Sequence, residues 1–320
     1  MVRFVFTVED LARMRFAVSP MWELVRSLLA LRDPAAAALH VPWLRSLGGR
    51  LDGLALEPVV ALIPPAGYMP DFLTPPPSGS LGDVASDLAA LRATRTAQIR
   101  HDMRLFRSQH PRRRALADAW DADPRRELRR VADVLEGYWE RAVAPAWPRI
   151  RELLDADIAH RARVLADAGP AALLGGLHPD VRWSDGALDV TVPRHEAVHD
   201  LRGRGLLLLP SVFSTRPGTI DERPWQPTVV YPARGVATLW DEGARAPDGL
   251  ARLLGATRAA VLADTGAPRS TTDLARRLSI SPANASHHLK ALAAAGLVSA
   301  RRDGRSVLYA RTPAGDGLVR

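Results

Sequence analysis

Residues 270–313 run STTDLARRLSISPANASHHLKALAAAGLVSARRDGRSVLYARTP, and their caps, apolar spacing and turns decide the fold of the tail. Ser270 or Thr271 can cap a helix over 272–279, in which Leu274 and Leu278 fall four apart and face inward. After a brief break at Ile280, Ser281-Pro282 is a strong start signal: the serine oxygen accepts an orphan backbone amide, and proline takes the first helical position, where no amide hydrogen is needed. This second helix runs to Ala295, and Gly296 stops it. Ala285, Leu289 and Leu292 form its inward face; Asn284, Ser286, His287, His288 and Lys290 form a polar outward face. Two short helices, the second presenting small polar side chains near its start, suit entry into a DNA major groove. Downstream, Leu297 to Ala300 and Ser306 to Ala310 read as strands, with Asp303-Gly304 as a hairpin signal between them. The pattern places Arg301, Arg302 and Arg305 at the hairpin tip, where they can lie along phosphates or reach a minor groove. Upstream, Gly249 to Thr265 reads as one helical segment with Leu250, Leu253, Leu254, Thr257, Val261 and Leu262 on an apolar stripe.

Charge follows the same division. The chain has 320 residues and a formal charge of +8, yet from Asp248 onward eleven Arg or Lys face only five Asp, against 32 and 30 in the preceding 247 residues. Positive charge concentrated on a small module is the electrostatic footprint of a polyanion partner, although a solvated basic face or attraction to a membrane surface would give the same count. Arginine abundance alone says little, because Lys290 is the one lysine in an Ala-, Pro- and Leu-rich chain. There is no cysteine, which excludes disulfides, thiolate catalysis and Cys-containing zinc sites. The opening MVRFVFTVEDLARMRF has no continuous apolar stretch and does not read as a signal peptide, and Leu206 to Leu209, closed by Pro210, is far too short to span a bilayer. A cytoplasmic protein with no membrane partner is the expectation.

Asp241 to Pro247, DEGARAP, reads as a linker dividing an N-terminal domain, 1–240, from a C-terminal one, 248–320. All eight tryptophans precede it, while Tyr309 is the single aromatic residue after it. Leu11 to Leu31, Leu81 to Gln109 and Pro124 to Ala168 have helical periodicity, as in Leu128, Val131, Leu135 and Trp139. Pro64 to Ser80 reads as an extended loop hugging the surface, anchored by Tyr68, Met69, Phe72 and Leu73. Leu188 to Val192, Gly205 to Phe213 and Pro227 to Tyr231 read as strands of one small mixed or antiparallel sheet. The fold class is therefore mostly α, of α+β type: a large helical domain with a small sheet, followed by a winged helix-turn-helix.

The tail resembles the ArsR/SmtB family of winged-helix regulators, through Ser286, His288, Leu289, Leu292, Ala295, Gly296, Leu297 and Val298 and the closing Arg302, Gly304, Arg305 and Tyr309, over about residues 248–315. That resemblance implies a homodimeric, DNA-binding transcription regulator, usually a repressor released from its operator by an effector. The N-terminal part resembles an uncharacterised region fused to such modules. Two departures stand out. Thr271 to Ala275 lacks the Cys-x-Cys pair of the family's metal sensors, and Thr312 to Arg320 is too short to form an independent dimerisation helix after the wing. Asn284, Ser286 and His287 are the candidates for base edges; Thr271, Thr272, His288, Lys290, Arg301, Arg302 and Arg305 are those for phosphates. The competing role for His288 is packing against the wing, and Arg276 and Arg277 read as a solvated helix face. Double-stranded DNA and a second copy of the chain are the expected partners, with a small-molecule effector for the N-terminal domain as a further candidate and no cofactor.

His195-Glu196-Ala197-Val198-His199 spells HExxH, in which two imidazoles one helical turn apart bind zinc and the glutamate activates water. Pro193 before it and strand-like sequence on both sides argue against a helix, and in a strand the two histidines would stand roughly 13 Å apart, too far for one zinc. Glu222, in a Pro-flanked loop, is an unconvincing third ligand. The chain is expected not to be an enzyme and to hold no metal. The alternative is a zinc hydrolase in the N-terminal domain with an accessory DNA-binding module; a third reading is a helical partner-binding protein whose basic tail contacts membrane. Trp139 and Trp147, at helical spacing near Tyr138, read as core or as the lining of an apolar ligand pocket.

Overall fold

The structure, a computed structural model, describes every residue except 66, 78, 80, 81, 194, 222, 241–247, 267, 279, 304, 305 and 320; at 34, 248, 249, 303 and 306 it describes the backbone alone. The chain divides into two compact units, Met1–Trp240 and Asp241–Arg320. The linker expected at 241–247 lies outside the described residues. Helices predominate, with small sheets in both units.

In the first unit, helices Pro20–Ala30, Val84–Arg92, Thr96–Gln109, Arg114–Ala122, Pro124–Tyr138 and Trp147–Gly175 carry most of the ordered chain. The segment expected as one helix from Leu11 to Leu31 is instead a short helix, Val8–Ala12, a two-residue strand, Arg15–Phe16, and the helix Pro20–Ala30. The strand forms because Arg15 and Phe16 pair in parallel with Leu207 and Leu208. The helix restarts at Ser19, whose hydroxyl accepts the Trp22 amide at 3.0 Å, with Pro20 in the first turn. Likewise Leu81 to Gln109 is broken between Arg92 and Thr96, and Pro124 to Ala168 passes through a π-turn at Trp139–Val143 before the helix Trp147–Gly175 begins.

Two four-stranded mixed sheets replace the single one expected. The first has the order Val181–Ser184, Ala187–Val190, Val2–Val5, Ala197–Asp200; its third strand comes from the extreme N-terminus, antiparallel to Ala187–Val190 and parallel to Ala197–Asp200. Arg3 locks it by donating to both oxygens of Asp189, at 2.6 and 2.7 Å. The second has the order Arg15–Phe16, Leu207–Ser211, Thr228–Pro232, Gly218–Ile220. Its two central strands run parallel and are buried on both faces: Leu208, Val229 and Tyr231 join one core with Val2, Phe4, Leu173 and Leu174, while Leu207, Leu209 and Val230 join another with Trp22 and Ile220. Burial on both faces is why Leu206 to Leu209 is apolar without alternation.

The helices enclose a core of their own, containing Met21, Leu24, Leu28, Phe106, Trp120, Leu135 and Tyr138. The Pro-rich segment after Pro64 is anchored by the expected Tyr68, Met69, Phe72 and Leu73 but runs deeper than a surface loop. It carries Phe72 and Leu73 to 0% exposure, with the Phe72 ring 5.2 Å from that of Trp120 and the Phe72 amide donating to Asp102 at 2.9 Å. Transfer of two such side chains out of water, each worth about 1.5–3 kcal/mol, outweighs the polar preference of the Pro and Gly around them. Trp139 and Trp147 make an edge-to-face pair at 5.2 Å against the helical core.

In the second unit the segment expected as one helix over Gly249 to Thr265 is two, Asp248–Leu254 and Ala256–Asp264. Gly255 between them has φ +83°, which a residue with a Cβ rarely adopts, so the chain turns there. Leu250, Val261, Leu262, Leu274, Leu289, Leu292 and Val298 then close one small core.

Candidate nucleic-acid interface

The helix pair is Thr271–Arg277 and Pro282–Ala294. Ser270 caps the first, its hydroxyl accepting the Asp273 amide at 3.1 Å and donating to the Asp273 carboxylate at 2.8 Å. Those bonds, with Arg276 nearby, hold the Asp273 carboxyl below its usual range despite some loss of hydration. Ser281 caps the second helix, accepting the Asn284 amide at 3.1 Å. Ala285, Leu289 and Leu292 are buried at 0%, 0% and 1%, which leaves the opposite face outward. On that face Asn284, His287 and Lys290 are exposed and Ser286 is half-buried; Thr272 is exposed and Thr271 half-buried at the start of the first helix. Arg276 pairs with Asp273 at 2.6 Å and Arg277 with Asp264 at 2.9 Å, so both are engaged on the helix surface.

His288 is half-buried, with its Nδ1 enclosed and without a hydrogen-bond partner. Burial first, then the nearby charges of Arg258 and His287, push its pKa down. Its environment thus includes the helix Ala256–Asp264, which carries Arg258, a residue that sequence reasoning passed over because nothing local links positions 258 and 288.

The ribbon is Val298–Asp303 antiparallel to Ser306–Arg311, and the latter also pairs with Arg269–Ser270. The strands run further than expected. Arg301 and Arg302 lie within the first, opposite Leu308 and Val307, and not at the tip; both are exposed. Successive strand residues point to opposite faces, so these two arginines cannot share one side. Arg302 lies on the face of Val298 and Tyr309, which pack on the core of the unit; Arg301 lies on the other. The tip position Arg305 is outside the described residues.

After the ribbon, Pro313–Val319 is a short helix, where only an independent one was expected to be out of reach. It does not stand alone. The Thr312 hydroxyl donates to the Gly296 carbonyl at 2.7 Å, Arg311 pairs with Asp316 at 3.0 Å, and Gly315 comes so close to the Leu297 carbonyl that a Cβ would sit 2.2 Å from it. Packing supplies what seven residues lack by themselves.

Residues 238–300 match a helix-turn-helix domain. Residues 80–237 match a family of unknown function, DUF5937. No curated protein and no solved structure matches the chain. The helix-turn-helix match supports a DNA-binding transcription regulator, with DNA as its partner. It ends at Ala300, so the second half of the ribbon rests on its own geometry. Among the described residues no helix is long and apolar enough to cross a membrane.

The HExxH residues are not helical. His195 precedes the strand Ala197–Asp200 and His199 lies within it. The separation expected from strand spacing is nevertheless wrong: both imidazole Nε2 atoms reach the same Asp221 oxygen, at 2.9 and 2.7 Å. His195 lies outside the strand, so strand spacing does not set the distance between the two rings. Burial would push the Asp221 carboxyl up, but the two imidazoles outweigh it and hold its pKa at about 2. Glu222 is outside the described residues. Asp221 was missed because it lies far along the chain from the motif.

Proposed function

We propose that the chain is an ArsR-type transcriptional repressor that binds its operator as a homodimer and responds to a small-molecule effector held by the N-terminal unit. One observation carries the DNA side of this reading: a capped helix whose inner face is sealed in the core while Asn284, His287 and Lys290 stand outward, beside a ribbon bearing Arg301 and Arg302. In this assignment Asn284, Ser286 and His287 meet base edges, and Thr271, Thr272, Lys290 and Arg302 meet phosphates, while Arg301 stands on the opposite face of the ribbon. Arg258, close to the neutral His288, contributes positive potential towards the same backbone.

Catalysis has no part in the proposal. HExxH chemistry needs its glutamate and two histidines on one helical face, and here the motif runs into a strand with both imidazoles committed to Asp221. Purified protein is expected to hydrolyse no peptide, with or without added zinc; zinc-dependent proteolysis would reverse this reading. The DNA assignment is tested by footprinting the full-length protein on the DNA upstream of its own gene. A protected two-fold-symmetric site whose affinity falls steeply with salt supports it; uniform weak protection overturns it.

A further inference from the structure

A cavity of about 180 Å³ lies in the first unit, between the helix Pro20–Ala30, the segment from Pro65 to Asp71, the connection leading to His195, and the segment from Ser214 to Thr219. It is built rather than incidental. Trp22 lines it with its indole N–H donating to the Ser214 hydroxyl at 3.0 Å, and its ring lies 3.6 Å from where a Cβ on Gly218 would stand. The Tyr68 backbone is tied to Gln109 at 3.1 Å and to His110 at 2.9 Å. Met69 packs on the same apolar cluster as Trp22.

Into this pocket, part apolar and part polar, comes Arg26, one turn along the helix from Trp22; the exposed Arg216 also lines it. Its Nε is enclosed and without a hydrogen-bond partner, and among the described residues Arg26 forms no ion pair. Its neighbour Glu23 offsets its charge only in part. That carboxylate turns to the Val212 and Phe213 amides, at 3.1 and 3.3 Å, and burial pushes its pKa up to about 7. The wall carboxylate Asp221 is already shared by His195 and His199. A guanidinium held largely out of water with its Nε unpartnered favours an anion, and its paired donors match a planar carboxylate.

We propose that this cavity binds a small organic anion, a carboxylate on a single ring-sized apolar body, with Arg26 clamping the carboxylate and Trp22, Tyr68 and Met69 packing on the ring. The volume suits such a ligand, since an apolar cavity of about 150 Å³ accepts benzene. This deepens the effector reading by naming the chemical class, and it stands without the DNA assignment, because its test involves no DNA.

The test is calorimetric titration of the full-length protein with benzoate and with benzamide, which match in shape and differ in charge. Benzoate is expected to bind at least about tenfold more tightly than benzamide, the scale of one charge-assisted hydrogen-bonded pair. Arg26→Gln is expected to abolish that preference while leaving the weak binding of benzamide unchanged. Equal affinities, or no heat from benzoate, phenylacetate and 2-naphthoate at about 10 mM, overturn the proposal, as does undiminished benzoate binding to a folded Arg26→Gln protein. Should that variant not fold, the benzoate and benzamide comparison on the unaltered protein decides alone. Ligand binding without operator footprinting, or the reverse, separates this inference from the repressor reading.

Discussion

Arg301 and Arg302 are adjacent in sequence, yet the ribbon sends them to opposite faces, so their replacement by glutamine should not be equivalent. Arg302 shares a face with Val298 and Tyr309, the residues that pack on the core also holding Leu289 and Leu292 of the outward-facing helix. It therefore projects towards the side on which a duplex would lie. Each phosphate neutralised contributes about 0.9 to the slope of log affinity against log salt, which at about 0.15 M amounts to roughly fivefold in affinity, about 1 kcal/mol per protomer. Arg302→Gln is thus expected to lower the slope by about 0.9 per protomer and binding by about fivefold, equally on operator and random duplex. Arg301→Gln should change the slope by less than half as much, and the double variant should match Arg302→Gln alone within error. Fluorescence anisotropy over a salt series measures all four proteins, and circular dichroism checks that each is folded. Equal losses from the two single variants would refute the facial assignment; unchanged slopes in folded variants would remove the ribbon from the DNA interface.

Leu289 is completely buried among Leu262, Leu274 and Leu292, so Leu289→Ala should cost about 2–5 kcal/mol in chemical denaturation, whereas exposed Lys290→Ala should change stability by less than about 0.5 kcal/mol while weakening DNA binding. Asp221, held at about 2 in the folded chain, binds protons less readily there than in the unfolded chain, so its stabilisation is complete above pH 4 and fades as pH falls towards 2; Asp221→Asn should erase roughly 2 kcal/mol of this acid limb in pH-dependent melts. Glu23 has the opposite sign. With its pKa raised to about 7 the folded chain holds the proton more tightly, so stability declines between pH 4.5 and 7, and Glu23→Gln, which keeps an oxygen for the Val212 and Phe213 amides, should flatten that decline.

The helix pair was legible because its signals are local. Ser270 and Ser281 each cap within three residues, Pro282 follows at the first position, and Ala285, Leu289 and Leu292 repeat at helical spacing; the same few residues that announce the helices also settle which face is left outward. The division of tryptophans and of charge about position 241 is likewise a property of the string itself. Features decided over long separations were not legible. Val2–Val5 enters the middle of a sheet only because Val190 and Ala197 are waiting far along the chain, and the Arg15–Phe16 strand exists only against Leu207 and Leu208.

Packing also added what short-range rules do not supply. Seven residues after the ribbon, too few for a helix by themselves, are helical because Gly315 seats against Leu297, and two histidines that strand spacing would separate converge because Asp221 sits between them. Arg26 carries no mark in the sequence to distinguish it from forty-two other basic residues. The sequence by itself determined which segments coil and which faces are oily, since backbone propensity and capping act within a few residues. Tertiary structure alone decided which distant groups meet, because strand pairing, enclosure of a charge and the shape of a cavity depend on chain segments brought together by the whole of the packing.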